Sequence, residues 1–120
     1  MIRLSLPIPP SLNNAYVNAR RGRVPSMAHG EWKALAGWEV SCQKPQKIIG
    51  PYRLAISLPW AMRGDVSNRI KLAEDLLVAM HVISDDHNAV WVCAQRSKDV
   101  KADRCLIEVE EALTVDKVQL

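Results

Sequence analysis

Between Gly64 and Asn88 the chain gathers the residue types that phosphate chemistry uses. Asn68, Lys71 and Asp75 are spaced i, i+3, i+7, so a helical segment would carry them on one face. Asp65 stands at the start of that segment, where the helix macrodipole favours a carboxylate. One loop later Asp85 and Asp86 bring two more carboxylates, and a short connection can fold them back beside the helix. Carboxylates with an amide carbonyl are the donor set that hard cations select. A lysine beside them can neutralise charge developing on a phosphate oxygen as a phosphodiester is cleaved. The same residues admit a plainer reading: Asp65 as a helix cap, Lys71 and Asp75 as an ion pair, Asp85-Asp86 as an exposed turn. Residue types alone leave both open.

The chain around this stretch is ordinary in bulk. Its 120 residues, 48% hydrophobic and 24% charged, give room for one domain, spanning 1–120. No apolar run approaches the ~18 residues that would span a bilayer. The opening MIRLSLPIPP is too short and too proline-rich for a secretory leader, so a cytoplasmic protein with no membrane partner is expected. Cys42, Cys93 and Cys105 lack the close pairing of zinc sites or disulfide frameworks; Cys93 and Cys105 read as buried thiols. His29, His81 and His87 lack ligand spacing. The net charge of +3 is divided. Residues 1–60 carry eight Lys and Arg against Glu31 and Glu39, a balance of +6, and residues 61–120 carry −3. That division suits a polyanion-binding surface beside a carboxylate cluster, or ordinary surface variation.

The elements that must position these residues follow from periodicity. Ile2-Arg3-Leu4-Ser5-Leu6 alternates as a half-buried strand does, and Pro7, Pro9 and Pro10 end it. Ser11 to Tyr16, with Asn13 and Asn14, is rich in turn formers, and Asn18 to Arg23, with Arg20, Arg21 and Arg23, reads as an exposed, mobile loop. Trp32, Leu35 and Ala36 set a helical pattern over about 27–47, stopped near Pro45. Tyr52 to Leu58 alternates as a second strand. A second helix starts with Asp65 or Ser67 as N-cap, and Ile70, Ala73, Leu76, Leu77 and Met80 form its apolar stripe. Ala89 to Ala94 and Arg104 to Glu110 are strands expected to pair through a turn near 98–103, with 112–120 a loosely ordered tail. Trp60 and Trp91 are expected in an interface or, by preference, in the core; Trp32 and Trp38 do not share a helical face, so at least one should be exposed. The predicted class is α+β: a mixed sheet with two main helices in the order β-loop-α-β-α-β-β.

With those elements in order, the chain resembles the RusA family of Holliday-junction resolvases. The resemblance rests on Gly64-Asp65-Val66-Ser67-Asn68-Arg69-Ile70-Lys71, then Asp75, then Ile83-Ser84-Asp85-Asp86. The family pattern is an Asp-x-Asp-Asn-x-x-Lys helix start followed by Asp-Asp in a loop before a strand. Pro9-Pro10-Ser11-x-Asn13-Asn14-x-Tyr16, with a basic segment after it, is similar to the family's opening. The likeness covers roughly residues 2–110; each motif alone is weak, and the ordered set is more specific.

The resemblance implies a homodimer that binds four-way junction DNA and nicks it symmetrically at two active sites. Each site would use Mg²⁺, with Mn²⁺ as an alternative. It implies Asp65 and Asp86 as metal-binding aspartates, Lys71 as the catalytic lysine, Asn68 as the accompanying amide and Asp75 as an acidic position further along the helix. Arg20, Arg21, Arg23 and Arg69 would contact the DNA backbone. Asn13 and Asn14 would donate to phosphate or sugar, or simply stabilise a turn. Ser67 departs from the pattern, because the family's second aspartate would stand there. Either Asp85 or Asp75 supplies the missing carboxylate, or Ser67 holds a water in its place, or the protein binds junctions with weakened or no cleavage. A small protein-interaction domain without a nucleic-acid role is the remaining alternative.

Overall fold

Alternation along the first strand decides which side of the sheet is wet. In the computed structural model, which describes residues 1–20 and 22–112, β1 (Ile2–Pro7) buries Ile2, Leu4 and Leu6 and exposes Arg3 and Ser5. A turn at Leu12–Asn14 leads into β2 (Tyr16–Ala19) and β3 (Gly22–Pro25), then α1 (Met27–Gln43) and β4 (Tyr52–Pro59). A single 3-10 turn, Val66–Arg69, enters α2 (Ile70–Ala79), and a second, Asp86–Asn88, enters β5 (Ala89–Ser97); β6 (Arg104–Glu111) closes the order. The result is one small α+β domain with a mixed sheet and two main helices. Among the described residues no helix is long and apolar enough to cross a membrane.

The sheet runs β1-β6-β4-β5, antiparallel except for the parallel β4–β5 pair. The two inner strands carry the fullest burial. Tyr52, Leu54, Ile56 and Leu58 of β4 and Cys105, Ile107 and Val109 of β6 face the helices with almost no exposure. Each large apolar side chain so placed contributes roughly 1.5–3 kcal/mol. Trp32, Ala36 and Val40 of α1 and Leu72, Ala73, Leu76 and Leu77 of α2 close the core from above.

Chain order does not set sheet order here. The expected β5–β6 hairpin does not form, because β4 lies between these strands. The β4–α2–β5 crossover makes β5 parallel to β4, as helical connections require. β5, with Gln95, Arg96 and Ser97, suits an edge, whereas the apolar alternation of β6 suits the interior. The other edge, β1, is covered by a side chain: Gln43 Oε1 accepts from the Ser5 amide at 3.2 Å and its Nε2 donates to the Ser5 carbonyl at 3.0 Å. That contact satisfies strand groups that would otherwise be open to pairing.

Local chemistry explains the remaining differences. The basic loop is a β-hairpin in which Val17 pairs with Val24 and Asn18 with Arg23. Gly22 takes φ +105° just after the turn, a conformation open to glycine. Arg21 lies outside the described residues. α1 ends at Gln43, four residues early, because Lys44 adopts the left-handed region (φ 49°) and Pro45 follows. Trp60 (58% exposed) and Trp91 (49%) are not in the core. Trp60 sits in the turn after β4, and Trp91 lies on the edge strand opposite Arg53. Trp32 is buried and Trp38 exposed, as the helical phase requires. Cys105 is buried, but edge placement leaves Cys93 only half-buried. Of the expected tail, Ala112 is buried, its amide donating to the Pro51 carbonyl at 2.9 Å; 113–120 lie outside the described residues.

Candidate functional site

The first turn of α2 aims Lys71 outward, since Leu72 and Ala73 take the core face. The loop after α2 folds back beside it. Lys71 Nζ stands 2.7 Å from Asp86 Oδ2 and 3.1 Å from Asp75 Oδ1. These contacts hold the Lys71 ammonium well above the usual lysine range, chiefly through its hydrogen bond to Asp86 and then that to Asp75. Asp85 caps the turn at Asp86–Asn88: its Oδ1 accepts from the His87 amide at 3.1 Å and lies 3.0 Å from His87 Nδ1. The amide bond is the main cause of its lowered pKa. His87 therefore attends Asp85 rather than Asp86.

Beneath this group lies a residue that the sequence reading missed. Glu74, one turn from Lys71, accepts a 2.8 Å hydrogen bond from the buried Tyr52 hydroxyl. Burial raises the Glu74 pKa despite that bond. Tyr52 is pushed far above the ordinary phenol range, first by burial and then by Glu74. The only signal available beforehand was the i, i+3 spacing of Glu74 from Lys71, and it was hidden among the apolar residues of the helix.

A second group surrounds Asp65. The carboxylate is exposed, and although Asp65 occupies the N-cap position of the Val66–Arg69 turn, its side chain makes no capping hydrogen bond. Asp65 thus takes the cap position through its backbone, its carbonyl accepting from the Asn68 amide at 3.3 Å. Asp65 lines an open cavity of about 460 Å³ with Asn13, Asn14, Asn68, Arg63 and Arg69, so the asparagine turn and the α2 entry face one another. Arg69 is part-buried rather than splayed to solvent: Nη1 donates to the Pro9 carbonyl at 2.7 Å and Nε is buried without a partner. Burial lowers its pKa. Ser67 is exposed, and its carbonyl accepts from the Ile70 amide. Arg20 and Arg23 are exposed on the hairpin, with Arg23 5.8 Å from the Tyr16 ring centroid.

The structure thus joins Lys71, Asp75 and Asp86 and separately groups Asp65, Asn68, Asn13, Asn14 and Arg69. No hydrogen bond or ion pair between Asp65 and Asp86 is seen among the described residues. Nor do three acidic, histidine or cysteine side chains among them converge as a closed metal site would require. An open Mg²⁺ site needs less: one or two carboxylates, with water and substrate phosphate filling the remaining positions. Asp65 is exposed with no side-chain hydrogen bond at its cap position, and Asp86 is held by Lys71, so each carboxylate has the donor chemistry such a site uses while lying in a different group. No protein-family model matches the chain, and no curated protein matches it.

Proposed function

We propose that this protein is a metal-dependent endonuclease of the RusA type that acts as a homodimer on four-way DNA junctions. The observation that carries the reading is the Lys71–Asp86 contact: residues fifteen positions apart, matched to one motif, meet at 2.7 Å on an exposed face. The uncapped Asp65 in a cavity of amides and guanidinium groups supports it.

In this mechanism Asp65 and Asp86 would hold Mg²⁺, or Mn²⁺ in its place, and the ion would supply Lewis-acid polarisation of the scissile phosphate and a more acidic water. Lys71, its pKa raised by its hydrogen bonds to Asp86 and Asp75, keeps its positive charge, which would stabilise the negative charge developing on phosphate oxygens. Asp75 keeps the ammonium in place when Asp86 is engaged elsewhere. Asn68, Asn13 and Asn14 orient the strand, and Arg20, Arg21 and Arg23 supply salt-sensitive affinity for its backbone. A two-fold dimer would present two such sites to a substrate that needs two symmetric nicks.

The test is cleavage of a synthetic four-way junction and a matched linear duplex, with Mg²⁺ and with chelator. Paired nicks in the junction alone are expected, lost with chelator and reduced at least about 100-fold in Asp86→Asn. A second reading, a junction-binding protein that does not cut, is favoured by Ser67 in place of the family's second aspartate. Tight junction binding with no cleavage in Mg²⁺ or Mn²⁺ would establish it.

A further inference from the structure

Trp60 is a large aromatic left 58% exposed in the turn just after a strand whose last residues, Ile56 to Pro59, are buried. Its position is braced. The Met62 amide donates to the Pro59 carbonyl at 3.1 Å, which makes the segment a turn. Arg96, from the neighbouring strand, then donates from Nη1 to the Met62 carbonyl at 3.1 Å and from Nη2 to the Gly64 carbonyl at 2.7 Å. Lys98, in the turn just after β5, places its ammonium 5.0 Å from the Trp60 ring centroid. The braced segment ends at Arg63, Gly64 and Asp65 on the rim of the amide-lined cavity. Trp60 and Arg63 are three positions apart in the chain, so their Cα atoms lie at most about 11 Å apart. An aromatic surface, a cation over it and a polar, guanidinium-bearing cavity within that span match the parts of one nucleotide: a flat base and its phosphate.

We infer that Trp60 is a stacking platform for one unpaired DNA base, with the phosphate of that nucleotide received by Arg63, Asn13 and Asn14. The inference rests on the nucleic-acid reading above and adds the contact that would favour an unpaired strand over a closed duplex. Arg96 fixes the backbone that follows Trp60, and the ring itself stands 58% exposed where a base can reach it. Every base offers a π-face, so the site selects strand state rather than sequence.

The experiment measures binding of the full chain to a labelled oligo-thymidine strand and a matched duplex across a salt series. Trp60→Ala, Trp60→Phe, Lys98→Gln and Trp38→Phe are compared with the unaltered protein. Trp60→Ala is expected to weaken single-strand binding about tenfold, with duplex affinity little changed, and Trp60→Phe to restore most of the loss. Trp38, exposed on α1, serves as control, and Trp38→Phe should bind normally. Quenching of tryptophan emission by the strand should persist in Trp38→Phe and fall in Trp60→Phe. Equal single-strand affinity for Trp60→Ala and the unaltered protein, with salt-dependent binding intact, overturns the stacking site alone. No salt-dependent binding to either DNA overturns this inference and the nuclease reading together.

Discussion

A half-buried carboxylate tied to a buried phenol makes Glu74 the residue whose titration most directly reports the site's interior. Burial raises its folded pKa, so folding favours its neutral form. The sign follows from linkage. Its stabilising contribution is complete below the unfolded value near 4.3 and is lost as pH rises through the higher folded value. At neutral pH the ionised group therefore costs stability. Glu74→Gln keeps an acceptor for the Tyr52 hydroxyl and removes the charge. It should melt no lower than the unaltered protein at pH 7, with a gain of up to about 4 °C that disappears near pH 4. Thermal melts by circular dichroism at the two pH values decide it; a lower melting temperature at pH 7 would mean that the charge is needed by Lys71. What separates Glu74 from Asp65, Lys71 and Asp86 as objects of sequence reading is physical. The latter three stand at a helix start and in a loop, where polar residues draw notice; Glu74 sits between core-facing residues, and only the fold shows that a buried tyrosine reaches it.

At the scale of elements, the N-terminus of α1 ties the asparagine turn to the rest of the protein. Ser26 Oγ accepts from the His29 amide at 3.2 Å and donates to the Asn14 carbonyl at 2.8 Å. Ser26→Ala breaks both bonds and should lower stability by about 1–2 kcal/mol in urea denaturation, with Ser26→Thr recovering most of it. Strands β1 and β4 and the core stripes of both helices were legible because one wet face leaves a period of 2 or 3.6 in the sequence. Two features were not. The β2–β3 hairpin is four residues a side with both valines exposed, so it leaves no burial pattern to read. The position of β4 between β5 and β6 is a long-range choice, made by which strands can be buried on both edges, and neighbours in sequence do not record it. Trp60 and Trp91 show the same limit: size argues for burial, while a turn and an edge strand leave them outside.

For the whole molecule, the excess of positive charge in residues 1–60 is expressed partly through a hairpin that stands clear of the core. If Arg20 and Arg23 meet phosphates, each alanine substitution should lower the slope of log affinity against log salt by about 1, for junction and duplex alike. Binding titrations over a salt series measure this directly; an unchanged slope would remove the hairpin from the interface. The sheet also has a history written into its register. β1 pairs with β6 from Ile2↔Val109 to Pro7↔Arg104, joining two strands about a hundred residues apart in the chain. On the ribosome, Ile2, Leu4 and Leu6 wait about a hundred residues for the strand that completes their side of the sheet. β4 waits as well, since β6 also fills the gap beside it. A chain that stops short of Arg104 therefore displays two unsatisfied strand edges at once, and both stay open until β6 has been made.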